Sequence, residues 1–106
     1  MAKLLEHEAL YVDAAKASLQ AKLQGSESPT YVAFVVWLPT SDEFLHKHEK
    51  NNDATAYQWV KGVPAAAKFF SRLKRAQAIA DEKEGAGVVI LLETEKQYMA
   101  IEIEKS

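Results

Sequence analysis

The sequence predicts an α+β fold in which helices pack on a three-stranded, mainly antiparallel sheet, in the order α-β-α-α-α-β-β. Three observations support this class. The N-terminal segment has helical periodicity, residues 30–38 are β-branched and aromatic, and two apolar segments near the C-terminus are joined by a three-residue link. The length of 106 residues is typical of a single domain, which we place at 1–106.

The first two elements differ in how much of their surface is apolar. Residues 2–24 predict a helix, because apolar side chains recur there every three or four positions. Residues 30–38 predict a strand with two apolar faces. A three-stranded sheet would need a helix or a second copy of the chain over its other face, which favours a homodimer.

Three helices are expected between the first and second strands. Thr40 and Glu43 have the spacing of a capping box, which predicts a short helix over 41–49. A further helical turn would contain Tyr57 and Trp59. Pro64 suits the first position of a long helix over 64–82.

The last two strands, 88–93 and 97–104, should form a hairpin. The second of them has one polar face, so we place it at a solvent-facing edge of the sheet. An exposed edge can add a strand from a partner or from a second copy. Its charged residues Glu102, Glu104 and Lys105 are of the kind that discourage such pairing, and both alternatives stay open.

Charge is unevenly distributed, although the net charge is only −2. Residues 54–80 contain no acid and five basic residues: Lys61, Lys68, Arg72, Lys74 and Arg75. On a helix over 64–82, Lys68, Arg72 and Arg75 would form one solvent-facing stripe, and the acids near position 82 would oppose the helix dipole. This pattern indicates either an anion-binding surface, for nucleic acid or an acidic protein, or a solvated helix face.

Two further groups of residues are candidates for binding. Tyr57 and Trp59, near Lys61, could stack on bases or anchor a protein interface, or they could simply seal the core. His46 and His48 would point in different directions on a helix, so we predict no metal site there.

No catalytic residue and no cofactor are predicted. The sequence has no cysteine, no phosphate-cradling glycine loop and no nucleophile elbow, and no apolar run of membrane-spanning length, which favours a cytoplasmic protein without a membrane partner. The leading hypothesis is a small non-enzymatic binding protein, such as an inhibitor, adaptor or regulatory factor, that uses a protein–protein surface. The alternative is a nucleic-acid-binding module that uses the helix 64–82, and the third hypothesis is a small enzyme or ligand-binding dimer. The candidate partner- or anion-binding residues are Lys61, Lys68, Arg72, Lys74, Arg75, Tyr57 and Trp59.

Overall fold

The computed structural model describes residues 4–22, 29–50, 54–95 and 97–103. It confirms the α+β class. The elements are α1 (Glu6–Lys22), β1 (Thr30–Leu38), β2 (Glu43–Lys50), β3 (Thr55–Lys61), a 3-10 turn (Pro64–Ala66), α2 (Leu73–Glu82), β4 (Gly87–Glu93) and β5 (Tyr98–Glu102). The ends of the predicted first helix and of the predicted last strand lie outside the described residues.

The sheet has five antiparallel strands in the order β3-β2-β1-β4-β5, so the prediction of three strands is wrong. The strand 30–38 and the C-terminal hairpin are confirmed, and β5 lies at an edge as predicted. Both helices pack on one face of the sheet, which we call the inner face. Its core contains residues of α1, α2 and the three middle strands: Val12, Leu19, Phe34, Val36, Leu45, Ala76, Ala80, Ile90 and Leu92.

The two additional strands occupy residues for which we predicted helical structure. Instead of capping a helix, residues 39–42 form the turn between β1 and β2, with Asp42 in the left-handed region at a φ of 55°. The Asp42 side chain accepts a hydrogen bond from Trp37 Nε1 at 3.1 Å, which helps to fix that turn. Tyr57 and Trp59 alternate with Ala56 and Gln58 along β3, a strand pattern that competes with the helical one.

The predicted helix 64–82 is also wrong, because only its second half is helical. Pro64 begins a 3-10 turn, as suits its fixed φ, but α2 begins at Leu73. Between them, Ala67 has extended dihedral angles and Phe70 forms an antiparallel bridge with Phe34, so residues 67–70 enter the sheet. Phe70 exchanges two backbone hydrogen bonds of 2.9 Å with Phe34 in β1, and the Lys68 N–H donates to the Leu45 carbonyl of β2 at 2.7 Å.

We call residues 67–70 the wedge, because they separate β1 from β2. These two strands pair directly only at Trp37 with Phe44 and at Leu38 with Glu43. Beyond that point, the wedge forms hydrogen bonds with backbone N–H and C=O groups of β1 and β2 that would otherwise pair directly between the two strands. The β2–β3 hairpin therefore diverges from the rest of the sheet.

The other face of the sheet, the outer face, is covered in part by the chain itself. Ala67 of the wedge packs against a buried cluster of Val35, Phe44, Val89 and Leu91, and the 3-10 turn before it contacts β2 and β5. Val35 and Leu91 have no exposed surface. Sheet coverage therefore does not require a second copy of the chain, contrary to our reason for favouring a homodimer.

Replacing Phe70 tests the wedge, because its ring is 4% exposed and lies in the inner core. We expect Phe70→Ala to lower the free energy of unfolding by about 3–5 kcal/mol, measured by urea denaturation. The matched control is Phe69→Ala, since this neighbouring ring is 46% exposed and its loss should cost less than about 1 kcal/mol. Equal losses of unfolding free energy for the two variants would contradict the assignment of Phe70 to the core and Phe69 to the surface.

Candidate functional site

The five predicted basic residues do not share one helix. Lys61 ends β3, Lys68 belongs to the wedge, and Arg72 precedes the first residue of α2. The Lys68 ammonium lies 5.8 Å from the centroid of the Phe70 ring, a cation–π distance. Lys74 and Arg75 are exposed in the first turn of α2. The continuous stripe therefore does not form, and a binding role for these residues stays a prediction.

Glu8 is the buried charged group of the described chain, and it joins the starts of both helices. Its Oε1 accepts the Leu5 N–H at 2.8 Å, which closes the first turn of α1 as in a capping box. Its Oε2 accepts the N–H of Leu73, the first residue of α2, at 2.7 Å. Arg72 Nη1 lies 3.1 Å from Oε1 and supplies the opposite charge. One carboxylate thus satisfies three donors.

The electrostatic surroundings of Glu8 favour its ionised form. Burial alone would raise its pKa, but the hydrogen bonds from Leu5 and Leu73 and the Arg72 guanidinium together hold the pKa below its ordinary value of 4.5. Two helix N-termini, each with a partial positive charge, meet at this carboxylate. The site is therefore built to keep a negative charge in the interior.

Tyr31 adds a second buried polar group beside this carboxylate. Burial, followed by the negative charge of Glu8, raises the pKa of Tyr31 to about 12, while Arg72 opposes the rise. Within the described part of the chain its hydroxyl has no hydrogen-bond partner. The phenol therefore stays neutral throughout the physiological pH range.

At the other end of α2, Glu82 connects the helix to the β2–β3 hairpin. Its Oε1 accepts the Tyr57 hydroxyl at 2.8 Å and lies 3.3 Å from His48 Nε2. The His48 and Tyr57 rings meet edge to face at 5.3 Å, and Tyr57 stacks with Trp59 at 6.2 Å. Tyr57 and Trp59 also pack against the inner core, so the structure places both on the helix side of β3.

The hydrogen bond from Tyr57 and the approach of His48 lower the pKa of Glu82, and Lys50 contributes in the same direction. The same hydrogen bond raises the pKa of Tyr57. The contribution of the ionised Glu82 carboxylate to stability is therefore fully present above the ordinary carboxyl pKa and is lost as the pH falls through the lowered value. The contact ties the diverging hairpin to α2 at neutral pH.

These two contacts explain a charge pattern that opposes the dipole of α2. No acid lies in its first turn, but Glu8 of α1 supplies one in space. The acid in its last turn, Glu82, is bound by donors of the hairpin. The charge pattern that suggested a binding surface is therefore explained, at both ends of α2, by contacts within the fold.

His46 and His48 are on a strand rather than a helix, but a register irregularity lies between Leu45 and Lys47. His46 Nδ1 donates to the Ala66 carbonyl, whereas His48 faces Glu82. The two imidazoles are thus held by different partners.

A cleft of about 480 Å³ separates the two helices. Its lining is partly apolar, from Tyr11, Leu73 and Ile103, and partly polar, from His7, Lys74 and Asp81. The volume suits a small molecule. The mixed charges select no single class of ligand.

A surface that our sequence reasoning missed lies on the outer face. In an extended segment alternate residues point to opposite sides, so Phe69 shares the side of Ala67, away from Phe70. Phe69 is 46% exposed, and Val63, which precedes the 3-10 turn, is 45% exposed. Trp37 and Tyr98 are half-buried against the same outer cluster. We call Phe69, Trp37 and Tyr98 the outer surface.

Carboxylates lie near the outer surface. Glu93 is paired with Tyr98, and Glu102 with Val89, so both point to the outer face. Asp42 is hydrogen-bonded to the Trp37 ring. Phe69 escaped our sequence analysis because helical periodicity placed it with the buried residues of the helix 64–82.

Comparisons of the chain with protein-family models, with curated proteins and with solved structures found no match. Among the described residues, no helix is long and apolar enough to cross a membrane.

Removing the Glu8 carboxylate should destabilise the fold strongly. Glu8→Ala leaves the Leu73 N–H and Arg72 without their partner, and we expect a loss of about 3 kcal/mol, the low end for a buried pair because Arg72 is partly exposed. Glu6→Ala is the control, because Glu6 lies in the same first turn but is exposed, and the change should cost less than about 1 kcal/mol. Urea denaturation at pH 7 measures both.

The difference in stability between wild type and Glu8→Ala should depend on pH with a definite sign. Because the folded pKa of Glu8 lies below its ordinary value, its contribution is present above about pH 4.5 and is lost as the pH falls through the lowered value. The stability gap between wild type and Glu8→Ala should therefore narrow in acid. A gap that widens below pH 4.5 would contradict the capping role.

Tyr57→Phe should return the pKa of Glu82 toward its ordinary range, because the hydroxyl is the leading cause of its depression. A pH titration of the Glu82 carboxyl carbon by NMR measures this directly. Gln58→Ala is the matched control, since Gln58 neighbours Tyr57 on β3 and points to the other face. An unchanged Glu82 midpoint in Tyr57→Phe would show that the contact is absent in solution.

Proposed function

We propose that the chain is a small non-enzymatic binding protein whose outer surface docks a basic protein partner that presents apolar side chains. The observation that carries this proposal is the exposure of Phe69 on a segment held inside the sheet. A large aromatic ring kept in water at such a place is typical of an interface anchor.

The backbone around Phe69 is fixed before any partner binds. The Lys68 N–H is bonded to β2 on one side, and Phe70 is bonded to β1 on the other. A ring presented from a fixed backbone loses little conformational entropy on binding, which favours affinity. Trp37, fixed by its hydrogen bond to Asp42, has the same advantage.

Charge favours a basic partner over a nucleic acid at this surface. Glu93 and Glu102 lie on the same face, and Asp42 adjoins Trp37. Carboxylates attract Lys and Arg side chains of a partner and repel phosphates. The alternative, nucleic-acid binding, would use Lys74 and Arg75 on the helix side of the molecule.

Peptide selection tests the proposal without a known partner. A random library of displayed peptides is selected on the immobilised wild-type protein, and we expect the enriched peptides to combine Lys or Arg with aromatic or aliphatic residues. Phe69→Ser should weaken their binding at least about tenfold, the effect of removing an interface anchor. Leu10→Ser is the control, since Leu10 is 67% exposed on α1 and should leave binding unchanged.

Three results would overturn the proposal. These are enrichment of acidic peptides, equal losses in the Phe69 and Leu10 variants, and enriched peptides that bind Phe69→Ser as well as wild type. Binding of a DNA or RNA oligonucleotide that weakens steeply with salt and is lost in Lys74→Glu with Arg75→Glu would favour the nucleic-acid alternative instead.

A further inference from the structure

We propose that β5 pairs with β5 of a second copy of the chain, antiparallel and centred on Ala100, to form a continuous ten-stranded sheet. This interface shares Tyr98 with the outer surface, but it does not depend on the proposed partner. Three features of the β5 edge support this pairing.

The first feature is that the two edges of the sheet differ in regularity. β4 and β5 pair residue for residue from Val89 with Glu102 to Glu93 with Tyr98. β3, the other edge, pairs with β2 across a register irregularity at Leu45 and Lys47. Irregularities of this kind twist an edge away from further pairing, whereas a regular edge can accept another strand.

The second feature is that the sequence of β5 is complementary to itself. A two-fold axis at Ala100 places Tyr98 opposite Glu102 of the second copy, and Met99 opposite Ile101 of the second copy. The first pair can share a hydrogen bond and the second is apolar. Glu102, the charged residue of β5, thus faces a phenol rather than another carboxylate. A self-complementary patch is what a symmetric dimer requires.

The third feature is a small cavity between α1 and β5. It measures about 60 Å³ and is lined by Tyr11, Ala14, Ala15 and Ser18 of α1, together with Ile101 and Glu102. In the paired sheet, Met99 of the second copy lies opposite Ile101, where its flexible side chain can fill this space.

Charge at the two-fold axis gives a specific test. Ala100→Lys places two ammonium groups side by side in the dimer, and Ala100→Glu places two carboxylates there. We expect each variant alone to raise the dimer dissociation constant by about 100-fold or more, and an equimolar mixture of the two to associate again. Light scattering of the full chain from micromolar to millimolar concentrations measures the mass.

The control lies on the other edge. Gln58 is the central residue of β3 and is exposed, so Gln58→Lys should leave the dimer intact. Because Ala100 is only half-exposed, circular dichroism checks that its variants fold. Hydrogen exchange of the wild type gives a second measurement, and protection of the β5 amides should rise with concentration while that of the β3 amides stays constant.

Pairing of β5 is supported if the wild type has the mass of two chains and if mixing Ala100→Lys with Ala100→Glu restores association. A wild type that is monomeric at all concentrations overturns it. The proposal is also overturned if Gln58→Lys dissociates the dimer, or if the mixture of Ala100→Lys and Ala100→Glu fails to associate. It is overturned as well if hydrogen exchange of the β5 amides does not change with concentration.

Discussion

The backbone pairing of Phe70 with Phe34 is the contact on which the rest of the arrangement depends. It holds the wedge between β1 and β2, so those strands pair directly over only two positions. The separation turns the β2–β3 hairpin away from the sheet. The same segment brings Ala67 over the outer cluster and sets the point at which α2 can begin. It also leaves Phe69 in water, because alternate residues of an extended chain cannot point to the same side.

Glu8 is the second constraint, and it acts on the helix layer. A carboxylate without exposed surface costs several kcal/mol to desolvate, and here two helix N-termini and Arg72 offset that cost. Because one of the donors is the N–H of Leu73, a different start for α2 would remove that hydrogen bond from the buried carboxylate. Glu82 fixes the opposite end of α2 to Tyr57, so the short helix is held at both ends by contacts with other elements.

The sequence predicted the elements whose patterns are local. β1 has two apolar faces, β4 and β5 form a hairpin, and α1 has apolar side chains every three or four positions, and all three are present. It failed where two local signals competed. Thr40 and Glu43 resemble a capping box, but the turn of residues 39–42, which the Trp37 to Asp42 hydrogen bond helps to fix, leads into β2. The start of α2 could not be predicted from local sequence, because the residue that caps it, Glu8, is 65 positions away. Phe69 was missed as a site residue because helical periodicity placed it inside the predicted helix 64–82, whereas its exposure follows from the wedge.

The two proposed surfaces meet at Tyr98, and their geometry makes them compatible. Tyr98 belongs both to the outer surface and to the β5 edge. A two-fold axis that extends an antiparallel sheet runs perpendicular to it, so both copies keep their helices on one side and their outer surfaces on the other. Pairing of β5 would therefore place two Phe69 rings on the same side of one sheet. A partner with two binding segments could then engage both copies, and the second contact would gain from its effective concentration rather than from any new interaction. The sheet edge would in this way increase the affinity of a surface that is small in a single chain.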